Sequence, residues 1–308
     1  MASPYVISVL LTAYNCEKFL PDTLGSLKNA CIGVQDSVEI ILVNDASSDK
    51  TSEILHDFAS KHPHARAFDV SLRNIGKVRN FAVSQCRGQY VTMLDGDDLL
   101  LKNSLSDIVD CLKKEQPDAL LAALNEVYEN KKHINKWHGL TTTSLTQHQT
   151  IEKFLIHRDL QAHFIGQFIK REILEHNHFP DFSCYEDAYL FPSVLNASHH
   201  ILYASQSPYL YFKRAQSLSS DLDAEKVSML IFATQRMDEI FQDQYRNLLS
   251  CHWINIVHKY YPIIKNENEK EIVKTAISKI PVISFLADSK VRTSIKRKYF
   301  KMKLKGTI

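Results

Sequence analysis

Three times in the first hundred residues an apolar, β-branched run stops abruptly at a cluster of small polar and acidic side chains. Residues 5–11 run into Thr12-Ala13-Tyr14-Asn15, residues 38–43 into Asn44-Asp45-Ala46-Ser47-Ser48-Asp49, and residues 89–94 into Asp95-Gly96-Asp97-Asp98. Predominantly apolar runs of this length are the mark of strands covered on both faces. Between them, residues 17–27, 51–60 and 77–86 carry helical spacing, and residues 67–70 read as a further short strand. Asp49 or Thr51 is placed to cap the second helix. Such alternation predicts an α/β fold with a mostly parallel sheet flanked by helices. In an open parallel sheet the three polar clusters then meet at the carboxyl edge, where folds of this kind bind ligands.

Further along, residues 103–115 read as a helix and 119–127 as one strand, while the polar stretch 129–150 reads as a mobile excursion. Residues 151–160, 169–176 and 185–195 have helical character. From Ala224, the positions Val227, Leu230, Met237, Phe241, Tyr245 and Leu248 recur at helical steps and predict an amphipathic helix. A charged break falls at 266–271. The expected organisation is an α/β domain over 1–220, followed by an α-helical C-terminal region with a basic tail over 221–308.

Glycine scarcity removes whole classes of function. Only 8 of 308 residues are glycine, and neither G-x-G-x-x-G nor G-x-x-x-x-G-K occurs, so the dinucleotide fingerprint and the P-loop are both excluded. The six cysteines form no C-x-x-C pair and the histidines no H-E-x-x-H, so no zinc site is expected. With no signal peptide and no long apolar run, the expectation is a cytoplasmic, reduced protein, peripheral at most on the inner face of the plasma membrane. Beyond Asp288 there is no acid but eight Lys or Arg residues, leaving the body acidic. Two readings of this tail, 289–308, stand side by side. One is a handle for an anionic membrane surface or a polyanionic polymer, not for nucleic acid; the other is a solvated, frayed terminus.

Asp95, Asp97 and Asp98 repel one another unless a cation sits among them. Hard oxygen ligands suit Mg²⁺ or Mn²⁺, which take one or two carboxylates and complete their shell with water and substrate phosphates. Helix capping would account for one of the three aspartates. Asp45, just past its strand, is suited either to a turn cap or to accepting a base N–H. Glu186-Asp187, taken alone, reads first as the acidic first turn of an exposed helix. His163, beside apolar residues, reads first as structural.

Taken together, the first three clusters and Asn74-Ile75-Gly76-Lys77-Val78-Arg79-Asn80, in this order and spacing, resemble the family 2 inverting glycosyltransferases of the GT-A fold. The resemblance covers about the first hundred residues. It implies that Asp45 pairs with a uracil ring, that Thr12, Ala13 and Tyr14 pack around the base, and that Arg79 lies near it. Asp95 would meet the ribose, and Asp97 would hold the metal on the diphosphate. One departure is Asn44-Asp45-Ala46, where the family commonly has Asp-Asp-Gly. Further on, Glu186-Asp187 resembles the family's Glu-Asp pair, with Asp187 as catalytic base and Glu186 as its neighbour or an acceptor contact. Lys213-Arg214-Ala215-Gln216-Ser217-Leu218-Ser219 resembles a segment whose arginine and serines, here Arg214, Ser217 and Ser219, close over the donor diphosphate; Arg214 also reads as a surface ion-pair residue.

The expected activity is metal-dependent inverting transfer of a sugar from a nucleotide-sugar, a UDP-sugar by the resemblance. The acceptor would be a hydroxyl of a surface glycan or of a lipid-linked glycan precursor, of capsule, lipopolysaccharide or teichoic-acid type. Two rivals use the same fold differently: a nucleotidyltransferase or sugar-nucleotide hydrolase, and a non-catalytic glycan-binding scaffold.

Overall fold

A computed structural model describes residues 4–128, 136–157, 159–213 and 222–304. In chain order the elements begin with β1 (Ile7–Ala13), α1 (Leu20–Ala30), β2 (Val38–Asp45), α2 (Thr51–Lys61), β3 (Ala65–Val70), α3 (Ile75–Ser84) and β4 (Tyr90–Asp95). There follow β5 (Leu99–Leu100), α4 (Ser104–Glu115), β6 (Ala119–Ala122), β7 (Asn125–Tyr128), β8 (Thr142–Leu145), α5 (Gln147–Ile156), β9 (Phe168–Lys170) and α6 (Arg171–His176). The chain continues through α7 (Glu186–Ala197), β10 (Ile201–Ala204) and β11 (Tyr209–Lys213). It ends in five helices: α8 (Ala224–Phe241), α9 (Arg246–Tyr260), α10 (Glu267–Ser278), α11 (Val282–Ala287) and α12 (Thr293–Leu304).

The main sheet has eight strands in the order β3-β2-β1-β4-β9-β6-β10-β8. β1 to β4 pair in parallel, β6 pairs in parallel with β10, and β9 runs antiparallel between β4 and β6. All eight residues of β2 are buried, which explains its apolar Ile40–Val43, while buried Glu39 accepts from Ser8 Oγ at 2.5 Å and Gly88 N–H at 2.8 Å; burial of each Leu, Ile or Val side chain contributes ~1.5–3 kcal/mol. The carboxyl ends of β1, β2, β4, β6 and β10 therefore share one rim. Because β9 is reversed, the loop before it, residues 161–167, arrives at the same rim.

Several boundaries differ from the sequence reading, each for a local reason. The strand expected over 119–127 divides. Gln167 takes the backbone of Ala122 on both sides, accepting from its N–H at 2.7 Å and donating to its C=O at 3.0 Å. The chain then leaves the main sheet, and β7 joins β11 and β5 in a second, three-stranded sheet. The stretch 169–176 is likewise half strand and half helix.

Within 129–150, residues 129–135 lie outside the described residues, but β8 pairs antiparallel with β10, so the later part is an edge strand. The helix after it starts earlier than periodicity suggested. Thr146 and Gln149 form a capping box there, a polar signal that apolar spacing does not register. The long helix expected from Ala224 breaks at Gln242, whose φ is 52°. The charged 266–271 stretch proves to be the start of α10, capped by Asn266.

The C-terminal helices do not fray. Ile295, Tyr299 and Met302 of α12 are buried in an apolar cluster with Trp253, Val273 and Phe285. Helices α8 and α9 serve two cores: Val227 and Trp253 belong to this cluster, while Met237, Phe241 and Leu249 belong to the core of the main sheet. No described helix is long and apolar enough to cross a membrane.

Candidate active site

Pairing register brings three of the polar clusters together. Thr12 lies opposite Val43 on one side and Asp95 on the other, Ala13 opposite Asn44, and Asp45 opposite Val70. The loops after β1 and β2 are stitched to each other: Asn15 N–H donates to Ser47 Oγ at 2.9 Å, Ser48 N–H to Asn15 Oδ1 at 2.8 Å, and Cys16 N–H to Thr51 Oγ1 at 2.8 Å. Asp49 accepts from Thr51 N–H at 3.0 Å in the turn before α2, but the N-cap position is Lys50 and the helix carries no side-chain cap, so neither Asp49 nor Thr51 is the expected cap. Ala13 is buried beneath this loop, Thr12 is half-buried and the Tyr14 ring stands exposed.

Asp45 is buried at the rim, and its Oδ1 accepts from the backbone N–H groups of Leu72 and Arg73 at 2.7 and 3.0 Å. Ala46, where the family commonly has glycine, is held at φ 54°. That left-handed conformation costs a non-glycine residue ~1–2 kcal/mol.

The turn after β4 divides its three acids. Asp98 faces inward, accepting from Tyr209 Oη at 2.7 Å and from Phe212 N–H at 2.8 Å. Burial, reinforced by Asp95, pushes its carboxyl up to about 8. Asp98 is thus the structural member of the trio. Tyr209 also accepts from Asp95 N–H at 3.1 Å, so one phenol ties the turn to β11. Nothing in the sequence signals this role for Tyr209.

Asp95 and Asp97 remain half-buried at the rim. Gly96 between them is packed against Ala13 and Cys16, where an added Cβ would lie 3.1 Å from Cys16 Sγ. Burial raises the Cys16 thiol to about 11, so the donors available at this turn are carboxylate oxygens, not a thiolate. No group of three His, Cys, Asp or Glu side chains suited to a metal occurs among the described residues. A hard divalent cation on Asp97 would therefore need phosphate and water oxygens to complete its shell, which is the habit of Mg²⁺ and Mn²⁺. The residues fit that kind of ion.

Glu186 and Asp187 open α7, and the segment before them is held by α3. Asn80 donates to Phe179 C=O and accepts from Phe179 N–H, both at 2.9 Å. Lys77 pairs with Asp181 at 3.0 Å. Gly76 sits so close to Pro180 that a Cβ would fall 2.0 Å from its carbonyl oxygen. The motif from Asn74 to Asn80 thus grips residues 179–181.

At its centre Arg79, only 5% exposed, projects into the acids. Its Nη1 donates to Glu186 Oε1 at 2.7 Å and to Asp187 Oδ1, and Nη2 lies 3.6 Å from Asp95 Oδ1. Asp187 is consequently joined to the β4 turn through a single guanidinium. Phe164, in the loop before β9, packs on Phe179 with ring centroids 5.0 Å apart, and Arg79 lies 5.6 Å from the Phe179 ring centroid, so that loop closes the same site. Burial raises the Asp187 carboxyl to about 8; Arg79 pulls against this, while Glu186 and Asp95 push the same way. Tyr185, immediately before, is held at φ 60°, the kind of local strain stored at functional sites.

His163 is buried, Nδ1 lying 3.1 Å from Ile165 C=O, and burial lowers it to about 4. Of the sequence candidates, the structure brings Thr12, Ala13, Tyr14, Asp45, Asp95, Asp97, Arg79, Glu186 and Asp187 to one rim. Arg214, Ser217 and Ser219 lie outside the described residues.

This rim gathers an acid-rich turn and a carboxylate pair at the carboxyl edge of a sheet with the GT-A fold. The chain belongs to glycosyl transferase family 2, whose family model matches residues 8–177. Among curated relatives it is 24% identical over 302 residues to the minor teichoic acid biosynthesis protein GgaB of Bacillus subtilis, covering 92% of this chain and 33% of that protein. It is 31% identical over 131 residues to the chondroitin synthase of Escherichia coli, covering 42% of this chain and 18% of that one. The chain thus spans a third or less of the length of these two relatives. Among solved structures, the S. aureus TarS 1-349 complex with UDP-GlcNAc superposes with a TM-score of 0.65 at 18% identity, over 98% of this chain and 92% of that one. A mannosyltransferase from Pyrobaculum calidifontis, in complex with GDP-Man and Mn²⁺, gives a TM-score of 0.52 at 13% identity, covering 100% of this chain and 87% of that one.

Proposed function

We propose that the chain transfers a sugar from a UDP-sugar to a glycan hydroxyl with inversion, as a step in building a cell-surface polymer or its lipid-linked precursor. The observation carrying this reading is the Arg79 bridge, which sets the Asp187 carboxylate beside Asp95 on the nucleotide rim. In this scheme Asp45 receives the uracil N–H, Thr12 and Tyr14 flank the ring, and Asp95 takes the ribose. Asp187 removes the proton of the acceptor hydroxyl as its oxygen bonds to the anomeric carbon and the bond to the diphosphate oxygen breaks. Glu186, sharing Arg79, orients the base.

A divalent cation on Asp97, Mg²⁺ or Mn²⁺, would supply charge stabilisation to the leaving diphosphate. Arg214, Ser217 and Ser219 complete the scheme above the diphosphate. The relatives' names, teichoic acid biosynthesis and, for TarS, poly(ribitol-phosphate) N-acetylglucosamine transfer, support a polymer acceptor. UDP-GlcNAc and UDP in the TarS complexes support uridine.

Residues 1–220 would carry the chemistry, with 221–308 as a helical buttress. The outer face of α12 carries exposed Arg297, Lys301 and Lys303 beside exposed Phe300 and Leu304. Basic charge with protruding apolar side chains suits an anionic membrane surface, which would place the enzyme peripherally on the cytoplasmic leaflet.

The test is thermal denaturation with UDP, GDP, ADP and CDP, each with and without Mn²⁺. Stabilisation by UDP that requires Mn²⁺ supports the reading. Equal stabilisation by all four nucleotides, or none, refutes it.

A further inference from the structure

Side chains of β2, α2 and β3 form a polar network beside Asp45. The strand register sets Asn44 opposite Asp69, and Asn44 Nδ2 donates to Asp69 Oδ1 at 2.8 Å. The same oxygen accepts from Ser52 Oγ at 2.7 Å, while Oδ2 meets His56 Nε2 at 2.6 Å. Ser52 and His56 lie four positions apart on α2, so they share a face of the helix. Both oxygens of the exposed Asp69 are thus engaged, and Asn44 beneath it is buried.

This network fixes the chain on each side of Asp45. Asn44 also uses its other end: Oδ1 accepts from Ser47 N–H at 3.3 Å, and Ser47 Oγ in turn accepts from Asn15 N–H of the loop after β1 at 2.9 Å. Ala46 N–H donates at 2.9 Å to the carbonyl of Val70, the residue after Asp69. The Oδ1 of Asp45 is taken by the N–H groups of Leu72 and Arg73, and no described residue pairs with its Oδ2. The oxygen left for a ligand therefore sits on a turn whose geometry Asn44 sets.

Polarity gives the pair one orientation. The Ser52 hydroxyl, with Asn44 and His56, holds the Asp69 carboxyl below the usual carboxylate range, against partial burial. An ionised carboxylate only accepts, so the amide turns its NH₂ to Asp69 and its carbonyl to Ser47 N–H. An acid at position 44 would set two carboxylates at hydrogen-bond distance, and like-charge repulsion forbids that unless one takes a proton. The amide at this point of departure from the family's usual acid is the partner that Asp69 requires.

We infer that Asp69 is a positioning residue of the nucleotide site: through Asn44 it sets the turn that presents Asp45, and so governs recognition of the base without touching it. The inference rests on the UDP-sugar reading and adds a residue outside the polar clusters that end β1, β2 and β4. Its effect is confined to the base, because in that reading the ribose falls to Asp95 and the diphosphate to the cation on Asp97.

The test uses the full chain in calorimetric titration with UDP and with ADP, both in Mn²⁺, beside urea denaturation of each variant. Asn44→Asp sets acid against acid, and Asp69→Ala removes the acceptor. Asn44→Asp combined with Asp69→Asn exchanges amide and acid, so that a donor again faces an acceptor. The expected result is UDP affinity at least tenfold weaker in Asn44→Asp and at least fivefold weaker in Asp69→Ala, with ADP affinity within twofold of the parent in both. The exchanged pair should return UDP affinity to within threefold of the parent. A network that only stabilises the fold would shift the urea midpoints and leave the ratio of UDP to ADP affinity at the parent value. That ratio unchanged in both single variants, or an exchanged pair as weak as Asn44→Asp, overturns the inference. The two readings fail separately. A parent that prefers UDP, with variants that keep the preference, removes the role of Asp69 and keeps the donor site. A parent that binds UDP and ADP alike removes the uridine reading, and the inference falls with it.

Discussion

Arg79 and Glu186, 107 positions apart in the chain, meet in a buried ion pair of 2.7 Å. The same guanidinium nitrogen also holds Asp187. A buried charge shared among three carboxylates is poorly replaced. Arg79→Ala leaves Glu186, Asp187 and Asp95 uncompensated and should lower stability by about 3–5 kcal/mol, read from urea denaturation. Arg79→Lys should recover part of that loss, yet activity should stay low because a single ammonium cannot hold Glu186 and Asp187 with one nitrogen while a second faces Asp95. A variant Arg79→Ala as stable and active as the parent would remove the clamp from the account.

The base also sets a pH dependence. An acid must be ionised to accept a proton, and burial raises Asp187 from the ordinary 3.8 to about 8. In kcat/KM, which reports the free enzyme, activity should therefore climb with pH well above the range of ordinary carboxylates. Arg79 pulls this value down, so in Arg79→Lys the limb should move to higher pH. Stability runs the opposite way. The folded state holds this proton more tightly than the unfolded chain, so the group's contribution is present at low pH and is lost as pH rises from 3.8 to about 8. A pH profile flat between 5 and 8 would speak against Asp187 as the base.

Gly76 offers a separate test of the α3 grip. A methyl group there would fall 2.0 Å from the Pro180 carbonyl oxygen, so Gly76→Ala must push residues 179–181 away. The expected outcome is a fall in kcat of at least tenfold with UDP affinity changed little, since Pro180 lies on the segment that leads into Glu186-Asp187 and not in the loops after β1, β2 or β4. Calorimetric titration with UDP beside turnover assays separates the two. Loss of both together would mean the segment organises the donor pocket as well.

The outer face of α12 predicts salt-sensitive adhesion. Replacing Arg297, Lys301 and Lys303 together with Glu should weaken binding to vesicles of anionic lipid at least tenfold, at ~1 kcal/mol per base, without disturbing the buried Ile295, Tyr299 and Met302. Deleting 289–308 is a poorer test, because it strips those residues from the core. Cosedimentation with anionic and neutral vesicles measures the effect, and equal pelleting of parent and triple variant would end the membrane assignment.

Much of this site was readable because it is topological. Apolar runs ending in polar clusters place Thr12, Asp45 and Asp95 at one rim once the strands are parallel, and no knowledge of side-chain contacts is needed. The role of the motif around Arg79 was less legible. Its residues stand out together, yet nothing in local spacing says that Asn80 holds the Phe179 backbone or that Arg79 turns toward acids more than a hundred positions away. Asp98 looked like Asp95 and Asp97 in sequence; only the distant Tyr209 and Phe212 distinguish it. The helical ends were missed for a related reason. Apolar periodicity finds the middle of α5 and α8, whereas the Thr146 capping box and the left-handed Gln242 that delimit them are polar, local signals.

The central claim is that one carboxylate, Asp187, accepts the proton from the attacking hydroxyl while the nucleotide is held by other residues. Asp187→Asn removes the base and keeps the shape, so the direct measurement is transfer from a UDP-sugar beside UDP affinity in the same preparation. The account predicts turnover reduced at least a thousandfold with UDP affinity within a few-fold of the parent. Asp187→Asn that turns over at close to the parent rate contradicts it.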